Sequence, residues 1–275
     1  MANINTISDF FTSDYHLNHG KILWLGKGRP FGPPQLMTLG KEWAAADTAH
    51  RAAKELLKDV EAVKQGKVSE EVVKILAEKE AALKHDLKAL EAVGLVEMNE
   101  AIIERRNSVV KKSSRVYNLG DVFLNCTLEQ ALAMHKRLIG QNFLLEGNHD
   151  SIAVEMAKHG AWIWVKDRKR VDVQIPPGIV APDQTKHKIL LSHYAHLTWH
   201  GSNKGVWHLY GHSHSQLEAW KDRVLNTMLS FDVGVDCWDF YPVSLEQVIE
   251  KMKPRIAAWQ EWRAGLNNLK EEMDF

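Results

Sequence analysis

Five short apolar runs, each long enough for a strand and too short for a helix, stop abruptly at Asp, Asn or His. The first lies in ISDFFTS (7–13) and ends at Asp14-Tyr15-His16. RVYNL leads to Gly120-Asp121, and NFLLE leads to Gly147-Asn148-His149-Asp150. KILL ends at Ser192-His193, and VWHLY at Gly211-His212-Ser213-His214. Helical patterns over 98–109, 128–139 and 151–159 separate the early runs. The later part reads mainly as strands (WIWV, VDVQI, KILLS, VWHLY, FDVGV). SLEQVIEKMK then opens a helix behind a Ser244 cap, and the tail 255–275 reads as helical. Strand and helix alternating first, then strands alone, is the pattern of an α/β chain with mixed sheets. In such folds ligands collect outside the carboxyl ends of strands, so these polar groups are expected to converge there.

Residues 41–92 stand apart. They are dominated by Ala, Lys, Glu and Leu, with no proline and a single glycine, Gly66. Leu56, Val60 and Val63, then Leu76, Leu83, Leu87 and Leu90, recur at helical spacing. This predicts a helical hairpin whose second arm is capped by Ser69 and ended by Gly94.

The donors gathered at the run ends are carboxylate and amide oxygens and imidazole nitrogens. That set suits Mn, Fe, Co, Ni or Zn. No cysteine joins it, which disfavours a structural zinc site. One carboxylate can bridge two cations ~3.5–4 Å apart, the spacing of two-metal phosphoryl chemistry. His19, just past the first run, and Arg29 in GKGRPF are candidate substrate-phosphate contacts, the latter through its fork of donors. KDRKR (166–170) reads as a solvated turn, His208 as a sheet histidine, and His50, His85, His135, His159 and His187 as residues of surface helices or loops.

Thirty-five basic and thirty-five acidic residues cancel, so no global field recruits nucleic acid or an anionic membrane. Cys126 and Cys237 form no close-spaced motif, which fits a reducing compartment. The N-terminus lacks a basic stretch followed by an apolar core, and no run approaches the ~18–20 apolar residues of a membrane helix. The expectation is a cytoplasmic protein, in the host cytoplasm if phage-encoded, with no membrane partner.

The order D-x-H, G-D, G-N-H-D, S-H, G-H-x-H resembles the calcineurin-like metallophosphoesterase superfamily over 7–248, apart from the helical insertion. FFTSDYHLNHGKI, LGDVF, LLEGNHD, LLSHY, VWHLYGHSH and VGVDCWDFYPVSLEQV are similar to a phage and bacterial subgroup of small phosphoesterases. The resemblance implies an α/β/β/α sandwich of two mixed sheets, one domain over 1–275 with 41–92 as an inserted hairpin. That hairpin is expected to serve a homo-oligomer or partner contact. It implies two divalent metal ions, manganese first, with Fe, Ni, Co or Zn as alternatives. Asp14, His16 and His214 would hold one, Asn148, His193 and His212 the other, and Asp121 would bridge. His149 would be the leaving-group acid, oriented by Asp150. The implied reaction is in-line attack of metal-activated water on a phosphodiester of nucleotide or cyclic-nucleotide kind. Nuclease, phosphomonoesterase and nucleotide pyrophosphohydrolase chemistry stay open on the same fold, and a non-catalytic scaffold is the rival outside the enzymes. Asn125 stands where many members carry an acidic residue, so no ligand role is expected there.

Overall fold

The computed structural model describes residues 8–218, 220–221 and 227–273. Ile7 of the first predicted strand and residues 274–275 of the predicted tail lie outside them. The chain forms two compact units. One comprises the chain up to His16 and from Ile102 onward, the other Leu17–Ala101.

The first unit is α/β with two mixed sheets. In one, β3 (Gln141–Leu145), β2 (Arg115–Asn118) and β1 (Asp9–Thr12) run parallel, with β4 (Val165–Lys166) parallel at one edge. At the other edge β9 (Val243–Ser244) pairs antiparallel to β1, a two-residue strand that the sequence pattern does not announce. In the second sheet β6 (Lys186–Ser192), β7 (Trp207–Tyr210) and β8 (Ser230–Asp232) run parallel, and β5 (Arg168–Gln174) is an antiparallel edge.

Side chains alternate across these strands. Phe11, Tyr117, Phe143 and Leu145 of one sheet form a single buried cluster with Val173, Ile189, Leu191, Trp207, Leu209 and Phe231 of the other. Phe10 turns the opposite way, onto Val110 and Val116. Each such side chain contributes about 1.5–3 kcal/mol by leaving water, so the shared core fixes both registers. A one-residue slip would face Phe11 outward.

Several local expectations change. Of WIWV only Val165 is in a strand, and Trp162 is buried against the His135 ring 4.5 Å away. The basic run 166–170 lies in β4 and β5 rather than in an open turn. His50, His135 and His187 are buried, and His187 belongs to β6. The terminal helix α6 (Leu245–Met273) runs unbroken through Pro254. Pro254 is exposed, so the Glu250 carbonyl its missing N–H would have bonded can be hydrated. At its start Ser244 Oγ accepts from the Gln247 N–H, and Gln247 Oε1 accepts from the Ser244 N–H. Shorter helices α4 (Leu128–His135) and α5 (Ala153–Lys158) follow β2 and β3.

The second unit is helical: α1 (Leu36–Leu57), α2 (Val60–Lys64) and most of α3 (Glu70–Val109). The expected stop at Gly94 is absent, since α3, 40 residues long, runs on to Val109 and includes the predicted 98–109 helix. A Cβ on Gly94 would lie 2.8 Å from Leu23 Cδ1 and 3.2 Å from the Gly32 Cα. Glycine is there to admit a neighbouring loop, not to end the helix. Beyond the predicted 41–92, residues 17–40 and 93–101 belong to this unit too. Trp24 Nε1 donates to Glu91 Oε1 at 2.5 Å, and the Gly32 N–H to Glu97 Oε2 at 2.6 Å, tying the early loop to α3. Among the described residues no helix is long and apolar enough to cross a membrane.

Candidate metal centre

Every strand that carries a sequence-predicted ligand runs parallel within its sheet and delivers that ligand just past its carboxyl end. β1 leads to Asp14 and His16, β2 to Asp121, β3 to Asn148, β6 to His193, and β7 to His212 and His214. The turns are laced by the backbone. The N–H groups of Asp14 and His16 donate to the carbonyls of Gly120 (3.0 Å) and Asp121 (2.9 Å), and Gly211 N–H to His193 O (2.9 Å). Across the two sheets, His212 N–H donates to Asp14 Oδ2 at 2.9 Å. Gly147 and Gly211 permit this closeness. A Cβ on Gly147 would collide with the Asp121 carboxylate, and one on Gly211 with Ser13 and Asp14.

The sharp turning falls on the ligands themselves, not on those two glycines. Asp14, His16, Asp121, His212 and His214 all have left-handed backbone, with φ of 59°, 48°, 56°, 65° and 45°. Non-glycine residues held there cost of order 1–3 kcal/mol each and persist where the surrounding structure over-determines them. Five in one site is a concentration of strain that packing alone does not call for.

The side chains form two groups. Asp14, His16 and His214 present donor atoms all within 4.8 Å of one another, and so do Asp121, His193 and His212. A single oxygen links them: Asp121 Oδ2 is 3.6 Å from His16 Nε2 and 3.6 Å from His193 Nε2. Asn148 Oδ1 is 3.0 Å from His193 Nε2 and joins the second group.

The donor chemistry fits divalent cations. His193 Nδ1 is 2.7 Å from the Leu119 carbonyl, which can only accept, so Nδ1 carries the proton. Nε2 therefore presents a lone pair toward the lone pairs of Asn148 Oδ1, an approach that a cation between them makes favourable. Burial also holds His193 below the usual histidine range, keeping it a neutral ligand. His214 Nδ1 lies 2.7 Å from Asp236 Oδ2, a carboxylate that orients the ring and sharpens its basicity. Asp14 is fully buried. Its carboxyl is pushed up to about 8, first by burial and then by the Asp232 and Asp121 charges, against His214 and the His212 N–H. A dication at this position would reverse that balance.

Two expectations follow. Without metal the raised Asp14 favours the fold below pH 3.8 and loses that contribution as pH climbs through about 8. Cation binding must expel its proton, so affinity at the first group should rise with pH, at most about tenfold per unit, and level off above pH 8. Manganese titrations across that range check it; a flat profile would count against Asp14 as a ligand. Asp236→Asn should weaken manganese binding at the first group about 10–100-fold with the melting temperature unchanged, as loss of an outer partner to a ligating histidine does.

His149 is exposed at the rim. Its backbone N–H donates to Asp121 Oδ1 at 2.8 Å, and its ring stands edge-on to His16 with centroids 5.7 Å apart. Asp150 does something other than orient His149. Its carboxylate accepts the N–H groups of Asp121 (2.7 Å), Val122 (3.0 Å) and Gly147 (2.9 Å), clamping the β2 and β3 turns together. Burial still lifts its carboxyl to about 6. Tyr194 is a further neighbour, its hydroxyl 3.5 Å from Asn148 Oδ1. His19 and Arg29, read as substrate contacts, belong to the second unit. There Arg29 is buried with Nη1 3.6 Å from Met98 Sδ, and His19 precedes the turn Gly20–Leu23.

No protein-family model matches the chain, and no curated protein does. Among solved structures it is similar to AQ665 of Aquifex aeolicus, described as a protein of unknown function. The TM-score is 0.50 at 17% identity, over 90% of this chain and 99% of that one. At that identity the likeness concerns the fold alone.

The sequence reading passed over two residues, Asp232 and Asp236. Asp232 ends β8, accepts from the Ser213 hydroxyl and from the Ser215 N–H (3.3 Å), and so steadies the His212–His214 turn. Asp236 holds His214. Both lie in FDVGVD, another apolar stretch interrupted by aspartate, and the rule that picked out the candidate ligands applies to it equally.

Proposed function

We propose that this chain is a two-metal phosphohydrolase of the calcineurin-like metallophosphoesterase type, with that superfamily's α/β/β/α sandwich. Its favoured substrate class is phosphodiesters of nucleotide or cyclic-nucleotide kind. The observation that carries the reading is the single Asp121 oxygen set 3.6 Å from a histidine of each donor group. Two ligands bound at ~2.1 Å to one ion stand about 3.0–3.5 Å apart, close to both spacings.

Two divalent cations, manganese first among the candidates, would supply charge neutralisation and Lewis acidity at a phosphoryl group. Asp14, His16 and His214 would hold one and Asn148, His193 and His212 the other, with Asp121 shared. The buried side of the centre, Asp14, His16, Asp121 and His193, excludes water behind the ions. Asn148, His149 and His212 are exposed and mark the side that substrate approaches. His149 is the proton donor to the leaving oxygen. An alkoxide leaves poorly without one, which gives the residue its task.

The test is hydrolysis of a chromogenic phosphodiester and the matching monoester, with manganese and then with chelator. Metal-dependent turnover favouring the diester is expected. Preference for the monoester would move the protein to the phosphatases, and turnover undiminished by chelator would overturn the reading.

A further inference from the structure

Around the amino-terminal ends of β6 and β7 lies a cleft of about 340 Å³ that the metal chemistry does not use. Arg170 of β5, Lys186 and Lys188 of β6 and Lys204 of the turn Ser202–Lys204 line it, with His187 in its floor. The four cations are all exposed. No carboxylate lines the cleft, and Asp172 stands 3.9 Å from Lys188 beside it. Arg170, Lys186 and Lys204 have no ion pair among the described residues. The chain as a whole is neutral, so this local excess of charge is a property of the site and not of the composition.

Charge on an edge strand has an ordinary purpose, since it stops sheets from pairing edge to edge. That accounts for Arg168, Lys169 and Arg170 on β5. It does not account for Lys204, which comes from a separate loop, or for the concavity. Lys204 is held in place by left-handed Gly201 (φ 86°) and Gly205 (φ 81°) and by a Val206 N–H to Gly201 carbonyl bond of 3.1 Å. The floor carries no charge of its own to pair with these cations: burial holds His187 well below the usual histidine range. Gln184 Nε2 donates to the Lys186 carbonyl and to His187 Nδ1, both at 2.9 Å, and the His187 ring packs on Trp207 with centroids 4.3 Å apart. The cations are thus left to act on something outside the protein.

We propose that this cleft binds a short chain of phosphates, as in inorganic tripolyphosphate or the tail of a nucleoside triphosphate. Four cations against one carboxylate call for a multivalent anion. Lysines act as point charges on phosphoryl oxygens, and the Arg170 fork can take two at once. No Trp, Tyr or Phe lines the cleft, so it offers no platform on which bases could stack. That separates it from a track for single-stranded nucleic acid. The proposal stands independently of the metal centre.

The experiment is calorimetric titration of the full chain, in chelator, with inorganic tripolyphosphate, with adenosine triphosphate, with a short oligothymidylate and with sulfate. Tripolyphosphate and the triphosphate should bind alike and sulfate far more weakly. Lys188→Gln combined with Lys204→Gln should lower both affinities at least ~10-fold. The same variant should leave hydrolysis of a small chromogenic diester unchanged. Asp121→Asn should leave tripolyphosphate binding intact, which places it away from the metal ligands. Absence of tripolyphosphate binding, or binding undiminished in the double variant, would overturn the proposal. Oligothymidylate bound in preference to tripolyphosphate and lost in that variant would overturn it in favour of a nucleic-acid backbone.

Discussion

Asp121→Asn is expected to preserve the fold and to cost about 10³-fold or more in phosphodiester turnover, the scale on which preorganised electrostatic groups act at a reacting centre. The amide keeps the volume of the carboxylate and an oxygen for the His149 N–H, which Asp121 Oδ1 accepts at 2.8 Å. The Asp121 N–H bond to Asp150 is likewise untouched. What disappears is the negative charge on the one oxygen lying 3.6 Å from both His16 and His193. Manganese stoichiometry should fall below two per chain while the melting temperature holds. Asp121→Ala would confuse the outcome, because it also strips the acceptor from the His149 N–H. A variant that binds two ions and turns over at the normal rate would remove Asp121 from the mechanism.

Why the centre could be read in the sequence and other parts could not has a local explanation. A strand that delivers a ligand at its carboxyl end writes both facts next to each other, apolar residues and then Asp, Asn or His. Asp14, Asp121, Asn148, His193 and His212 were legible for that reason. Asp150 was legible as a site residue but not in its role, since a carboxylate beside a histidine looks the same whether it faces the imidazole or three backbone N–H groups. Gly94 misled because a helix stop and a close approach both select glycine, and the deciding contact, Leu23, lies 71 positions earlier. The two-residue β9 has too few side chains to show a period, and its pairing with Phe10 and Phe11 is entirely non-local. The basic residues 166–170 carried no sign of the cleft, because Lys186, Lys188 and Lys204 reach it from distant positions.

Arg106→Met is expected to be among the most destabilising single substitutions in the first unit, by about 3–5 kcal/mol, because several buried acceptors lose their donor at once. Arg106 is 0% exposed, and no carboxylate pairs with it among the described residues. Neutral groups hold it instead. Nη1 donates to the Tyr15 hydroxyl (2.9 Å) and Asn118 Oδ1 (3.5 Å), and Nη2 to the Ile139 carbonyl (2.9 Å) and Asn142 Oδ1. These bonds tie the end of α3 to β2, β3 and the turn after β1. Methionine would fill much of the volume but leave those acceptors buried without a donor, at about 1–3 kcal/mol apiece and not fully additive. Thermal unfolding should shift down by about 10 °C, the usual scale for such a loss in a unit of this size. The substitution should also reach the metal centre, because Tyr15 stands between Asp14 and His16. Manganese affinity should fall in Arg106→Met and hold in Met252→Ala, a core truncation under α6 of comparable destabilisation. Equal affinity in both would confine Arg106 to stability, and a wild-type melt for Arg106→Met would mean that the guanidinium does not hold these strands together.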